Sequence, residues 1–207
     1  SNSRMKLNKL YSVEEPLTDD ELNALKPYYD ELRNSDTYFV EKPVTPKELL
    51  LLLYTFWKNE CEPGGYTMVY EVDNLMLLLG NNETEKINEA NYGLVAMKKQ
   101  IASEGGNSFG LVLNQMNRNI KSVERLQNKE MHKPMASDLM AASSSEFCAD
   151  YILFAHIPAR LGLQTYTSSK FPTRIIYPGN KIKEAAYFEL VKNRSGAPNL
   201  TFPVHNN

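Results

Sequence analysis

The sequence is poor in cysteine: among 207 residues only Cys61 and Cys148 occur, far apart and without a CxxC or His pairing. That usage excludes a disulfide framework and a zinc site and implies buried thiols in a reducing, cytosolic setting. Long apolar runs are also missing. The longest, residues 49–53 extended through Trp57, contains Tyr54 and Thr55 and is too short to cross a bilayer. No signal-peptide pattern opens the chain, so no membrane partner is expected. None of the ten glycines is followed by lysine, so the loop G-x-x-x-x-G-K-[ST], which cradles phosphates, is absent. There is no G-x-S-x-G elbow, and His132, His156 and His205 stand apart, so Ser143 to Ser145 with His156 do not read as a hydrolase site. His132 and His205 read as surface residues and Asp138 and Glu146 as solvated loop acids, not metal ligands. The glycosylation sequons at Asn82 and Asn193 read as chance matches in a cytosolic chain.

What is present suffices for one sizeable core, since 42% of residues are hydrophobic. Charge is distributed unevenly: residues 1–105 hold 11 Lys+Arg against 18 Asp+Glu, and residues 106–207 hold 12 against 7. A basic C-terminal half suits phosphates as well as it suits an ordinary solvated surface.

Local patterns order the elements. Thr18-Asp19-Asp20-Glu21 is a capping box, and Leu22, Leu25, Tyr28, Tyr29 and Leu32 follow at helical spacing, which predicts a helix to about Arg33. Residues 37–41, TYFVE, read as a short strand. Thr45 and Pro46 then open a helix over KELLLLLYTFWKNE. Glu62-Pro63-Gly64-Gly65 turns the chain into a run from Tyr66 to Leu79, YTMVYEVDNLMLLL, and the two strands flanking the helix should run parallel. A further helix is expected with Ile87, Tyr92, Val95, Ala96 and Ile101 on one face, stopped by Gly105-Gly106, before a strand from Phe109 to Gln115. Residues 116–145 read as a long functional loop, 148–157 as a strand, 158–183 as an irregular insertion, and 186–192 with 200–204 as a closing hairpin. The expected class is α/β, a mostly parallel sheet flanked by helices with a C-terminal β-hairpin.

Within that order, Val72-Asp73-Asn74-Leu75 has the form of a strand that ends on a metal-holding acid. Leu113-Asn114-Gln115-Met116-Asn117-Arg118 sets an amide and then an Asn-Arg pair at the end of the next strand. Pro134-Met135-Ala136-Ser137-Asp138-Leu139 opens a loop that Glu146, Ala149 and Asp150 close, and Lys192-Asn193-Arg194-Ser195-Gly196 repeats a Lys-x-Arg-x-Gly pattern. Together and in register, these segments resemble the C-terminal motor domain of DnaB-type hexameric replicative helicases, which has the RecA-like fold of P-loop NTPases. The resemblance also takes in Leu17 to Glu21 and Tyr38 to Val44, and so covers most of the chain. Residues 1–15, which begin polar, turn-prone and without periodicity, read as a leader, disordered or artificial, and the resemblance implies a partial motor domain over 16–207, truncated on its N-terminal side.

The resemblance implies ATP and Mg²⁺ as cofactors, with Asp73 holding the metal through water. Gln115 would sense the γ-phosphate, and Lys192 and Arg194 would reach nucleotide bound by a neighbouring subunit. Single-stranded DNA would meet Arg118 and the backbone N–H groups of Ala142, Ser143, Ser144 and Ser145. Identical subunits in a ring, a hexamer in the parent, and a helicase loader or primase are the implied partners. The departures are equally specific. The phosphate loop and the family's catalytic glutamate have no counterpart, which reads as a chain beginning partway through the domain and inactive by itself. Glu71 stands where the family has an aliphatic residue, and it should find a partner or an exposed edge. Met140-Ala141 replaces an Arg-Glu pair, and Ser143 a glycine. The residues alone leave plainer readings open: Gln115 as an amide capping a loop, Lys192 and Arg194 as an exposed hairpin face. A non-enzymatic RecA-like oligomerisation or DNA-binding module remains the alternative function.

Overall fold

The computed structural model describes residues 16–167, 171–177 and 181–204. Residues 1–15, where a leader is expected, 168–170 and 178–180 of the expected insertion, and 205–207 with His205 lie outside them. The chain divides into two compact units, residues 1–42 and 43–207.

The first unit is helix α1, Asp19–Arg33, started by the expected box: Glu21 N donates to Thr18 Oγ1 at 3.3 Å while Glu21 Oε2 accepts from Thr18 N at 2.9 Å. Three acids in its first turn and Arg33 in its last complement the helix dipole. None of its residues is buried. The strand expected at 37–41 does not form. Tyr38, Phe39 and Val40 are exposed, and no neighbouring strand offers them a ladder of hydrogen bonds among the described residues. Apolar, β-prone composition makes a strand only when another strand completes its backbone pairing.

In the second unit Thr45 repeats the capping box for α2, Pro46–Phe56, with proline at its first position, and the helix widens into a π turn at Trp57–Cys61. Strand β1 is shorter than the apolar run that contains it. It covers Met68–Val72, after which Leu75–Leu77 form a 3₁₀ turn. Helix α3, Glu83–Ser103, begins at Asn82 and buries Ile87, Ala90, Asn91, Leu94, Met97 and Ile101. That stripe differs from the expected one: Tyr92 and Ala96 face outward, because positions three and four apart must share a face. β2, Ser108–Val112, pairs parallel with β1 from Met68↔Ser108 to Val72↔Val112. The crossover helix lies between the two in sequence, as parallel strands require.

Two clusters fill the space between this sheet and its helices. Val44, Val72, Leu75, Leu78, Ile87 and Ala90 form one, and Trp57, Cys61, Met68, Leu94, Met97 and Ile101 the other. Trp57 is wholly buried beside Gly106, where a Cβ would come within 2.5 Å of the indole ring, so only glycine admits the tryptophan there.

The long loop expected at 116–145 is instead a chain of short helical turns: Arg118–Lys121, α4 at Val123–Gln127, Lys129–Met131, Ala136–Asp138, then α5 at Ala142–Cys148. β3, Tyr151–His156, follows. The expected irregular insertion holds a second hairpin, β4 at Arg174–Tyr177 and β5 at Lys181–Glu184. The predicted closing hairpin is present as β6, Ala186–Asn193, and β7, Leu200–Val204, and β6 also pairs antiparallel with β3. The expectation of a mostly parallel sheet is corrected accordingly. Among the described residues only β1 and β2 are parallel, and the three-stranded sheet β3-β6-β7 is antiparallel. The fold is mixed α/β.

Candidate functional site

Asp73 and Gln115 leave the same end of the parallel pair. The pairing continues one step past β1 and β2, with Leu113 N donating to Val72 O at 2.9 Å and Leu75 N to Leu113 O at 3.1 Å. Asp73 is therefore set at the carboxyl end of β1, and Gln115 two residues beyond the last pairing of β2; both side chains are exposed. Open α/β sheets bind ligands at that end of their strands. Glu71 is also exposed, on the sheet face away from the helices.

Beyond Leu113 the predicted sensor is stitched to the predicted DNA loop. Met140 N donates to Gln115 O at 3.0 Å, Asn117 N to Asp138 O at 2.6 Å, and Met116 bridges Leu139. Asn114 Nδ2 donates to Met140 O at 2.9 Å and to Ser145 Oγ at 3.1 Å, and Asn117 Nδ2 to Ser137 O at 2.8 Å. From the other side Asn91 Nδ2 of α3 donates to Ser144 Oγ at 3.0 Å and Ser145 Oγ at 3.1 Å. These contacts turn Ser144 and Ser145 inward and leave Ser143 exposed, with Ala142 half-buried. The N–H of Ser145 already donates to Ala141 O at 3.1 Å. Arg118 is exposed at the head of the turn that follows Asn117.

Lys192 and Arg194 do share one side of the closing hairpin, and that side meets the C-terminal end of α5. Lys192 Nζ donates to the carbonyl of Glu146, Arg194 Nη2 to Phe147 O at 3.3 Å, and Arg194 N to Asp150 O at 2.9 Å. Cations suit the unpaired carbonyls of a helix end. Arg194 also makes an ion pair with Asp150 at 2.7 Å, and Lys98 of α3 takes the other carboxylate oxygen at 2.7 Å. The Lys98 hydrogen bond first, then the charges of Arg194 and Lys192, hold the Asp150 carboxyl below the usual carboxylate range.

Sequence reasoning misses the buried polar groups. Asp138, expected as a solvated loop acid, is buried against Arg125, and Met135 N donates to its second oxygen at 2.8 Å. His132, expected at the surface, is buried, with Nε2 3.2 Å from Leu126 O. His156 is buried against Tyr166, and burial above all, with the Arg125 charge beside it, pushes its pKa down to about 4. Glu189 is 2% exposed and accepts from Tyr166 Oη at 2.6 Å and Thr201 Oγ1 at 2.7 Å, with Lys133 3.4 Å away.

No group of three or more His, Cys, Asp or Glu residues that could hold a metal occurs among the described residues. Asp73, a lone hard oxygen donor in solvent, suits a hydrated Mg²⁺ whose other ligands are water and phosphate. The sequence holds no G-x-x-x-x-G-K-[ST] loop beside Asp73 to cradle a phosphate. Surface clefts of about 410 and 340 Å³ occur elsewhere, and none of Asp73, Gln115, Lys192 or Arg194 lines either. No described helix is long and apolar enough to cross a membrane.

No protein-family model matches the chain, and no curated protein matches it. Its fold does match solved structures. One, described as an ATPase domain, aligns over 96% of this chain with a TM-score of 0.64 at 18% sequence identity. The chain spans 61% of that structure's length. It therefore shares the mixed α/β fold of an ATPase domain.

Proposed function

We propose that this chain is part of the RecA-like motor of a DnaB-type replicative DNA helicase, which couples ATP hydrolysis to translocation on single-stranded DNA and duplex unwinding. The observation that carries the reading is the hydrogen-bonded seam between residues 114–117 and 137–145, directly beyond the strand end that bears Asp73. A group that reports on phosphate at Gln115 would thereby move the segment that faces DNA, without an intervening flexible joint. Asp73 would hold hydrated Mg²⁺ in the assembled protein, Arg118, Ala142 and Ser143 would meet the DNA backbone, and Lys192 and Arg194 would act on the adjacent subunit of a ring. The likeness to an ATPase domain supports the nucleotide part of this reading.

A second reading, a RecA-like oligomerisation or DNA-binding module without a motor, is favoured by the departures within the chain itself, where Met140-Ala141 stands in place of an Arg-Glu pair and Ser143 in place of a glycine. The full-length gene product decides between them. The helicase reading expects a phosphate loop and a strand-end glutamate upstream of Ser1, with DNA-stimulated ATP turnover that Arg194→Ala abolishes and subunit mixing restores in part. Turnover that is indifferent to Arg194→Ala overturns the trans-acting role. The 207-residue chain alone is expected to hydrolyse no ATP, and turnover by it that Asp73→Ala abolishes overturns that expectation.

A further inference from the structure

Three cations surround one carboxylate where β6 ends. Lys98 and Arg194 each stand 2.7 Å from a different oxygen of Asp150, and Lys192 sits beside them on the Glu146 carbonyl. Three positive side chains against one negative leave the group with surplus positive charge. The side chains are accessible: Lys98 is 54% exposed, Arg194 56% and Asp150 33%. Ion pairs so exposed are weak in water, so exchanging one anion for another there costs little. The α5 carbonyls meanwhile hold Lys192 and Arg194 in place, and a guanidinium with five donors keeps several of them available after bonding Asp150 and Phe147.

We propose that Lys98, Lys192 and Arg194 form a phosphate-binding site in which the Asp150 carboxylate occupies the anion's position until a phosphate group displaces it. A planar guanidinium fork flanked by ammonium groups matches the oxygens of a phosphate. The inference rests on the reading of Lys192 and Arg194 as phosphate-seeking cations, and it adds Lys98 as a third and Asp150 as their internal competitor. Asp150 is ionised at neutral pH, and those cations hold its carboxyl further below the usual carboxylate range, so it competes as a full charge. A carboxylate that merely braced the hairpin would be expected to do the reverse, since its loss would loosen the cations and weaken any phosphate binding.

The experiment uses the full 207-residue chain, isotope-labelled and titrated with sodium tripolyphosphate at low salt while the signals of Lys98, Lys192 and Arg194 are followed by NMR. Tripolyphosphate is expected to move those three signals first. Asp150→Asn should tighten binding about tenfold, the effect of removing one like charge at contact distance. Lys98→Gln should weaken it about fivefold by loss of one charge. Opposite effects from two variants cannot come from a common loss of fold. Parallel arms with ATP and with a thymidine oligonucleotide tell a nucleotide phosphate from a DNA backbone phosphate by which one competes with tripolyphosphate. Asp150→Asn binding no tighter than the parent chain overturns the proposal, as does a spread of equal shifts over unrelated lysines. If Asp150→Asn tightens binding while Arg194→Ala leaves ring ATPase intact, the site stands and the trans-acting role of Arg194 falls. Lost ring ATPase with unchanged tripolyphosphate affinity sinks the site alone.

Discussion

Arg125 and Asp138 face each other in the second unit with side chains only 6% and 2% exposed, joined through Nη1 and Oδ1. Each is satisfied on its remaining sides. Arg125 Nε donates to Met131 O at 3.1 Å and Nη2 to Lys133 O at 2.6 Å, while Asp138 O accepts from Asn117 N. The pair thus anchors the turns of residues 118–138 and, through Asn117, the segment at residues 114–117.

Removing one member strands the other as a buried, unpaired charge. Asp138→Ala is expected to destabilise the fold by about 3–5 kcal/mol, and Arg125→Met by a similar amount. Replacing both by apolar residues of like volume should restore much of the loss, because the desolvation of two ions disappears with them. Urea unfolding of the single and double variants measures this, and additive losses would contradict it.

A related cost attaches to Tyr166. Its hydroxyl donates to Glu189 at 2.6 Å, and burial first, then that hydrogen bond, pushes the phenol well above its ordinary range. Tyr166→Phe keeps the packing on Phe171 and Tyr187 but leaves Glu189 one donor short. A loss of about 1–3 kcal/mol is expected in thermal or urea unfolding. Glu189→Gln in the same background should recover part of it, since an amide tolerates the missing donor better than a carboxylate does.

These polar centres also mark where the sequence is legible and where it is not. Short-range chemistry reads directly: the helix starts at Thr18 and Thr45 and the closing hairpin all depend on residues within a few positions of one another. The Asp73 and Gln115 ends of β1 and β2 are legible for the same reason. Residues 37–41 mislead because a strand is a property of a pair. Asp138, His132 and Glu189 mislead because polarity predicts exposure until a partner is known, and Tyr166 lies 23 residues from Glu189. The position of Arg194 on Asp150 needs the three-dimensional meeting of α3, α5 and β6, which no local spacing encodes.

Acid should act on His156 before most carboxylates titrate. Its folded pKa of about 4 lies below the ordinary 6.5, since burial and Arg125 disfavour the cation, while Asp138 only partly offsets them and His132 adds to the same side. The unfolded chain therefore binds the proton more readily, and stability is complete above about pH 6.5 and falls as pH drops toward 4. Between pH 7 and pH 5 the parent chain should lose about 2 kcal/mol more than His156→Phe does. Parallel losses in the two proteins would show that the imidazole is not the group responsible.

One face of the parallel pair β1-β2 lies exposed. Side chains alternate along β1, so Met68, Tyr70 and Val72 turn toward the helices while Val69 and Glu71 turn away, and their partners in register are Phe109 and Leu111. Val69 is 71% exposed, Phe109 57% and Leu111 52%. Parallel sheets are ordinarily covered on both faces, so this apolar patch is prone to association. Glu71 opposes that between copies, because burying it against a second copy would strip its carboxylate of water without supplying a cation. Glu71→Leu should therefore strengthen self-association about tenfold or more, visible as faster sedimentation in a concentration series, whereas Glu71→Gln should do so only weakly. Equal sedimentation of Glu71→Leu and the parent chain would show that the carboxylate does not keep this face apart.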